Sequence, residues 1–463
     1  MEFAAKDEAA DGTGPRKHRV RLSRTGQLAF PIYLYLAGCA LIYLCYFNGS
    51  PVFPSFVALF IVTFAMNRPS HAISPLSVYY AYYGVWYVLA PMFAERFEGG
   101  ALLRPEYGLA LAFIYTTFGL GVIILRWGEI WAIERTPAPV AIEVPNRNDV
   151  TKKLFFLYCA ATLAVAAIVQ SSGGLAKWID DPGKAFLTRE GSGAYVILSH
   201  FSSLALAALS GYHAYTTRKR WPLLLFIAWV MLTSAVHGSK AQISLLIVLL
   251  FTPWIKDLRF AGGRALFLYG AVLGVFFLGT YFRNLSWIDA GTFLPYALNY
   301  FNTLEMLAIS IEDFPPQFLM TFFLPFVKFA TPFGLADSSM YYDMNHLLTD
   351  IYFPKSWEIR ATEQWPVETD LYLNFFFWGG LPLLAGYLFV IGAIYGRAIK
   401  GMTLGAWFAA VTMSIFMISH LRGSLLNHID FYMYPYIWFM YRAFANYTVT
   451  RSPEKKVGKR VTS

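Results

Sequence analysis

Apolar runs near 20 residues long recur from Leu28 to Tyr447, and an α-helix needs about that many to cross roughly 30 Å of hydrocarbon. Backbone in such a medium must satisfy its own hydrogen bonds, so the runs are read as transmembrane helices. The expected fold is all-α: a polytopic bundle of about twelve helices at 28–47, 51–67, 74–94, 106–126, 152–171, 193–215, 221–236, 240–255, 265–282, 372–395, 402–420 and 430–447. Composition agrees, with 57% of the 463 residues hydrophobic and 14% charged, against roughly 25% charged in soluble domains.

A net charge of +9 suggests nucleic acid only until its position is noted. Most of it sits in short loops and tails. With the first residues in the cytoplasm, 25 Lys and Arg fall inside and 11 outside, leaving Arg442 in the last helix. This bias sets the orientation. It divides the chain into a basic cytoplasmic tail (1–27), nine helices (28–282), a large outer loop (283–371), three helices (372–447) and a second basic tail (448–463). Arg16, Lys17, Arg19, Arg21 and Arg24 precede a full-length span with no A-x-A-like cleavage site, so the start reads as a retained anchor. Only His237, Gly238, Ser239 and Lys240 separate the seventh and eighth spans. Merging them would put Lys256 to Arg264 outside, so a tight hairpin is expected. Cys39, Cys45 and Cys159 lie inside apolar spans, spaced for neither a metal nor a disulfide framework.

The outer loop is nearly 90 residues long and too apolar for disorder. Its stretches 293–311 and 316–333 look amphipathic; Glu305 interrupts one, and Pro325, Lys328 and Pro332 the other. Surface or re-entrant helices suit them better than crossings. Phe, Tyr and Trp accumulate there beside Asp337, Asp343, Asp350, Glu358, Glu363, Glu368 and Asp370. Aromatic faces with acidic side chains suit sugars, although interfacial rings gather at any membrane surface.

Charges at the outer helix ends are the candidates for chemistry, since an ionised group in the bilayer is costly unless paired or wet. Lys240, Arg283, Arg422, Arg189 and Arg360 all face outward. Converging arginines match phosphate oxygens with a planar fork of donors; singly, each also reads as a snorkelling anchor. At the mouth of the tenth span, Glu368 and Tyr372 share a helical face at i, i+4, with Asp370 and Asn374 on the adjoining one. Glu368 is the candidate general base, and Asp370 a helix cap. His237 and His420 end helices beside Lys240 and Arg422, and each is a candidate base or a structural histidine. No H-E-x-x-H, D-x-D or Cys/His spacing appears. The expectation is therefore no metal and no cofactor, and the missing D-x-D argues against a metal-dependent nucleotide-sugar transferase.

Three pieces carry a family resemblance: Thr188 to Gly193 ahead of a span, the helical hairpin around Gly238, Ser239 and Lys240, and Glu368 to Gly380 after the large loop. In these and in layout the chain resembles the Wzy-type polymerases of O-antigen and capsule repeat units. The resemblance implies a GT-C-like glycosyltransferase of the bacterial inner membrane, working on the periplasmic face. It would extend glycans carried on undecaprenyl pyrophosphate, with lipid and a chain-length regulator protein as partners and no nucleic acid. Arg189, Arg283 and Arg422 would hold the pyrophosphate, and Glu368 would take the acceptor proton, with Arg283 and His420 as further catalytic candidates. Lys240, Arg360, Tyr372 and Asn374 would line the substrate site. Lys240 departs from the arginine common in the family and lacks its bidentate fork.

Three alternatives remain open from sequence. An O-antigen ligase shares the architecture and donor and would use a loop histidine, of which His346 is the only one. A transporter or flippase would place charges near the midplane on broken helices. A scaffold for polysaccharide assembly would need none of this chemistry.

Overall fold

The computed structural model describes residues 26–92, 105–137, 146–180, 185, 193–237, 240–260, 263–283, 301, 303–330, 335, 341–355 and 363–449. Among these the chain is helical, with isolated bridges and no strand. Six helices are long and apolar enough to cross a membrane. Outward side chains on them, such as Leu36, Phe156 and Leu163, are mostly exposed, as a lipid-facing surface requires.

In chain order the helices are α1 Gly26–Phe47, α2 Val52–Met66, α3 Pro75–Gly84, α4 Pro105–Arg135, α5 Arg147–Ser171, α6 Gly174–Asp180, α7 Gly193–Thr217, α8 Trp221–His237, α9 Lys240–Ile255 and α10 Gly263–Arg283. Then follow α11 Leu304–Asp313, α12 Leu324–Ala330, α13 Met344–Tyr352, α14 Val367–Phe375, α15 Leu381–Gly401, α16 Leu404–Leu421 and α17 Asp430–Ala443. The stretches expected to be amphipathic hold α11 and α12, of 10 and 7 residues, too short to cross. Residues 293–300 and 302 of the first stretch lie outside the described residues. Tyr341 and Tyr352 donate to Asp350 (2.6 Å) and Asp313 (2.8 Å), so part of the loop's acidity is bound to its own aromatics.

Helix α4 is the axis of the bundle. On one side it meets α1 antiparallel, with Gly108, Gly38 and Gly119 under Tyr46, Tyr115 and Tyr35. On another it meets α15 so closely that a Cβ at Gly128 would run into the Phe389 carbonyl. Cβ atoms at Gly392 and Gly396 would likewise meet the carbonyls of Leu125 and Glu129. Helices in lipid gain little from burying apolar side chains against each other, so small residues that let backbones touch supply the attraction. The matching order of these contacts makes α4 and α15 parallel.

One end of the bundle gathers basic segments. His71 bridges to Arg259, and the rings of His71 and Tyr395 lie 6.5 Å apart. Lys153 Nζ donates to Tyr447 Oη at 2.8 Å, and Thr403 bridges to Thr448. Helices α7 and α9 run parallel, Gly211 against Leu250 and Tyr215 against Trp254. Helix α8 therefore runs opposite to α9, and the two form the hairpin expected from charge parity.

The tenth expected span differs. Residues 372–395 are not one helix: α14 ends at Phe375, Phe376 and Phe377 take positive φ of 54° and 65°, and α15 starts at Leu381. Left-handed backbone at two successive phenylalanines is strained. Packing holds it in place, for Phe377 is fully buried and stacks on Phe113 at 3.8 Å.

Two glycine substitutions on α15 separate backbone contact from propensity. Gly392→Ala, blocked by a carbonyl, should destabilise the protein by at least ~1–3 kcal/mol. Gly386→Ala, with nothing within 4 Å, should be neutral or slightly stabilising. Thermal unfolding in detergent compares them, and equal melting temperatures would remove the close-approach argument.

Candidate functional site

The break at Phe376–Phe377 folds α14 back along the bundle. Glu368 meets Thr117 and Tyr372 packs on Phe113, so α14 runs antiparallel to α4 and to α15. Its first turn is its deepest part. Thr117 lies ten residues past Tyr107, where the apolar part of α4 starts, or about 15 Å along the helix. Glu368 thus sits within the bundle interior, deeper than the helix mouth expected from sequence.

Glu368 is fully buried. Its Oε1 accepts hydrogen bonds from Tyr83 Oη at 2.9 Å and from Thr117 Oγ1, while Oε2 has no donor. Burial pushes the carboxyl up to about 7, against the opposing effect of Thr117, its own backbone amide and Tyr83. A carboxylate titrating there is poised to exchange a proton at neutral pH.

The walls are tyrosines of α3. The helix widens into a π turn at Val85–Leu89, a rare irregularity that often marks functional sites. Tyr79, Tyr82, Tyr83 and Tyr87 are all buried. Tyr79 donates to the Thr117 carbonyl (2.8 Å), Tyr82 to the Leu421 carbonyl (2.6 Å), and the Tyr82 and Tyr87 hydroxyls lie 3.2 Å apart. Tyr82 joins two halves of the site, standing within electrostatic reach of both Glu368 and Arg422. The half-buried Arg422 guanidinium lies 5.5 Å from the Trp86 ring centroid, a cation–π arrangement.

Asp370 and Asn374 tie the site together. Asp370 does not cap its helix: Pro366 occupies that position with no side-chain hydrogen bond. Its carboxylate instead accepts from Leu425 N (3.0 Å) and Asn374 Nδ2 (2.7 Å). Burial raises it to about 6, opposed by the bonds from Leu425 and Asn374. Asn374 Oδ1 accepts from the amides of Thr321 (2.6 Å) and Phe322 (3.1 Å), and Nδ2 also donates to Thr321 Oγ1 (2.8 Å). The amide expected to line the substrate site is thus engaged with protein groups. Tyr372 donates to the carbonyls of Phe314 (3.1 Å) and Ile311 (3.3 Å), which docks α11 on α14.

His420 is buried in a separate polar cluster. Its Nε2 faces both carboxylate oxygens of Asp430 (3.0 and 3.1 Å) and the Tyr434 hydroxyl (3.2 Å); Nδ1 faces the Tyr387 hydroxyl (3.1 Å) and the Phe416 carbonyl (3.2 Å). His237 lies 2.9 Å from the Thr233 hydroxyl in its own helix. Between α10 and α14, His346 Nδ1 pairs with Asp343 at 2.7 Å. Burial works to raise the Asp343 carboxyl, but the bonds and charge of His346 outweigh it and hold the group low.

Of the cations expected at the site, only Arg422 has a described side chain. Arg189 and Arg360 lie outside the described residues, as do the side chains of Arg283, the last residue of α10, and Lys240, the first of α9. Sequence reasoning missed Thr117, Tyr82, Tyr83, Trp86, Tyr87 and Asp430. The run Tyr79 to Tyr87 carried a signal: five tyrosines and a tryptophan fall within one apolar span, more than an interfacial belt needs. Among the described residues no cluster of three or more His, Cys, Asp or Glu forms a metal site.

No protein-family model matches the chain, and neither the curated proteins nor the solved structures contain a match to it.

Asn374→Ala should strand the buried Thr321 amide, at about 1–3 kcal/mol, and free the part-buried amide of Phe322. The melting temperature in detergent should fall, and protease should cut first near Thr321. Wild-type melting and an unchanged cleavage pattern would show that Asn374 does not hold the loop.

Proposed function

We propose that the chain polymerises lipid-linked oligosaccharide repeat units at the outer face of a bacterial inner membrane, as a metal-independent, GT-C-like glycosyltransferase. One observation carries the reading. A buried carboxylate, held through one oxygen by Tyr83 and Thr117 and free of donors at the other, shares the Tyr82–Trp86 wall with Arg422.

In this reaction the acceptor sugar hydroxyl gives its proton to Glu368 Oε2. Its oxygen then bonds to the anomeric carbon of the donor glycan as the bond from that carbon to pyrophosphate oxygen breaks. The electron pair leaves with undecaprenyl pyrophosphate, and Arg422 stabilises the charge that develops. Arg189, Lys240, Arg283 and Arg360 remain the proposed further contacts to that leaving group. The aromatic side chains of the segment that carries α11 to α13 suit sugar faces. The lipid pyrophosphate bond supplies the driving force, so no energy-coupling cofactor is required. Asp370, Asn374 and Tyr372 act by holding α14 in position, and His420 by fixing the start of α17 through Asp430. A chain-length regulator protein is the proposed partner.

A transporter or flippase is the second reading, and a specific feature favours it: Glu368 lies on a broken, back-folded helix inside the bundle, where transporters place ionisable groups. His346 paired with Asp343 likewise keeps the O-antigen ligase in view.

Polysaccharide ladders on gels distinguish the three. Cells lacking the protein should retain single repeat units on the core and recover the ladder with the wild-type gene. Accumulated lipid-linked polymer with bare core would identify a ligase, and bare core with no outward-facing polymer a flippase. Glu368→Gln, Arg283→Ala and Arg422→Ala should each abolish long chains while the protein still inserts. A wild-type ladder from Glu368→Gln would sink the assignment of the base. In vitro, a base of pKa about 7 must be ionised to work, so polymerisation should fall as pH drops through 7; a flat profile between pH 6 and 8 would contradict it.

A further inference from the structure

The basic end of the bundle contains a second candidate site that the proposed reaction does not use. The last turns of α4 and α15, the start of α16 and the end of α17 enclose an open pocket of about 360 Å³. Its lining includes Arg135, Arg397, Thr403 and Tyr441 and no carboxylate. Neither arginine belongs to an ion pair among the described residues, whose pairs are Lys256–Asp257, His346–Asp343 and His420–Asp430.

The fold forces the two cations together. Helices α4 and α15 run parallel in backbone contact, and a Cβ at Gly396 would meet the Glu129 carbonyl and the Ala132 Cβ. Arg397 follows Gly396, and Arg135 is one turn beyond Ala132, so both guanidinium groups sit at the same level. Arg135 is stacked over Trp131, 4.5 Å from the ring centroid. A cation near a helix C-terminus is favoured by the macrodipole, which explains either arginine alone. It does not explain two around one pocket without an acid, an arrangement whose repulsion an anion would relieve. Side chains must hold that anion, because the first amides of α16 are already used: Leu404 donates to the Tyr447 carbonyl, Gly405 to that of Phe444 and Ala406 to Thr403 Oγ1. Thr403 keeps its own proton to donate.

The surroundings identify the source of the anion. Trp438, one turn from Tyr441 on the same helix face, is 66% exposed, and Phe439 is 61% exposed. A ligand in the pocket would therefore lie beside a large apolar surface continuous with the lipid-facing side of α17. We propose that the pocket binds the phosphate head group of an anionic membrane phospholipid, with guanidinium forks and the Thr403 and Tyr441 hydroxyls on the phosphate and acyl chains along Trp438 and Phe439. This rests on membrane insertion and not on the polymerase reading.

Native mass spectrometry of the full chain in detergent tests it, with phosphatidylglycerol, phosphatidylcholine and inorganic phosphate titrated separately. Phosphatidylglycerol should bind the wild type about tenfold more tightly than it binds Arg135→Gln or Arg397→Gln, and more tightly than phosphatidylcholine binds the wild type. The single variants keep one guanidinium each and bear the test if the double variant does not fold. Equal phosphatidylglycerol binding by wild type and variants overturns the site. Inorganic phosphate that displaces phosphatidylglycerol at comparable concentration overturns the lipid assignment.

Discussion

Backbone contact between α4 and α15 is the constraint on which the other parts depend. In lipid, apolar side chains gain little from meeting one another, so the attraction between helices comes from close packing where glycine exposes the backbone. Gly128, Gly392 and Gly396 do this along one seam. With α15 fixed against α4, the hairpin that precedes it has one place to go. α14 folds back beside α4, Phe377 stacks on Phe113, and Glu368 arrives at Thr117. The same seam brings Arg135 and Arg397 to a common level at the opposite end. Two polar sites at two ends of the bundle thus follow from one row of small residues.

A buried carboxylate with one oxygen unsatisfied is an energetic liability, and the surrounding structure shows how it is tolerated. Tyr83 and Thr117 hold the other oxygen, and the raised pKa lets the group stay neutral over part of the physiological range. Asp370 and Asn374, on the same helix, are hydrogen-bonded to protein groups instead. They join α14 to Leu425 after α16 and to Thr321 between α11 and α12. Two carboxylates on one nine-residue helix therefore do different work: Asp370 assembles the site, and Glu368 is left available within it.

Much of the fold was legible in the sequence because lipid imposes simple rules. Run length and hydropathy carry the helical character: six of the twelve expected spans coincide with helices long and apolar enough to cross a membrane. Trp221–His237 and Lys240–Ile255 are separate helices, as loop parity asked. The site was legible only in part. Glu368 and Arg422 stood out as charges beside apolar segments, but periodicity continues α14 through Phe376 and Phe377 into α15. Nothing in phenylalanine's propensity announces two positive φ values, which are imposed by tertiary contacts. Depth was misjudged for that reason. Likewise Asp430 reads as an ordinary helix start, and its partnership with His420 depends on α16 and α17 meeting at their ends. The tyrosine run was visible as composition, yet its hydroxyls acquired meaning only once Leu421, Thr117 and Glu368 lay within reach.

The arrangement around Glu368 bears on the choice between transfer and transport. A transported ion or proton must be released on both sides, which asks for a site whose walls can part toward either end. Here Tyr79, Tyr82 and Thr117 are fixed to backbone carbonyls or to Glu368 itself, and Phe377 with Phe113 closes the flank. The wall toward the segment between α10 and α14 is different, for Arg422 is half-buried there and the short helices α11 and α13 meet α14 through a few side chains. Walls rigid on one side and built of short elements on the other favour access from a single face. One-sided access is what the proposed glycosyl transfer requires, and it leaves the basic end, with its separate arginine pocket, free for the proposed lipid contact.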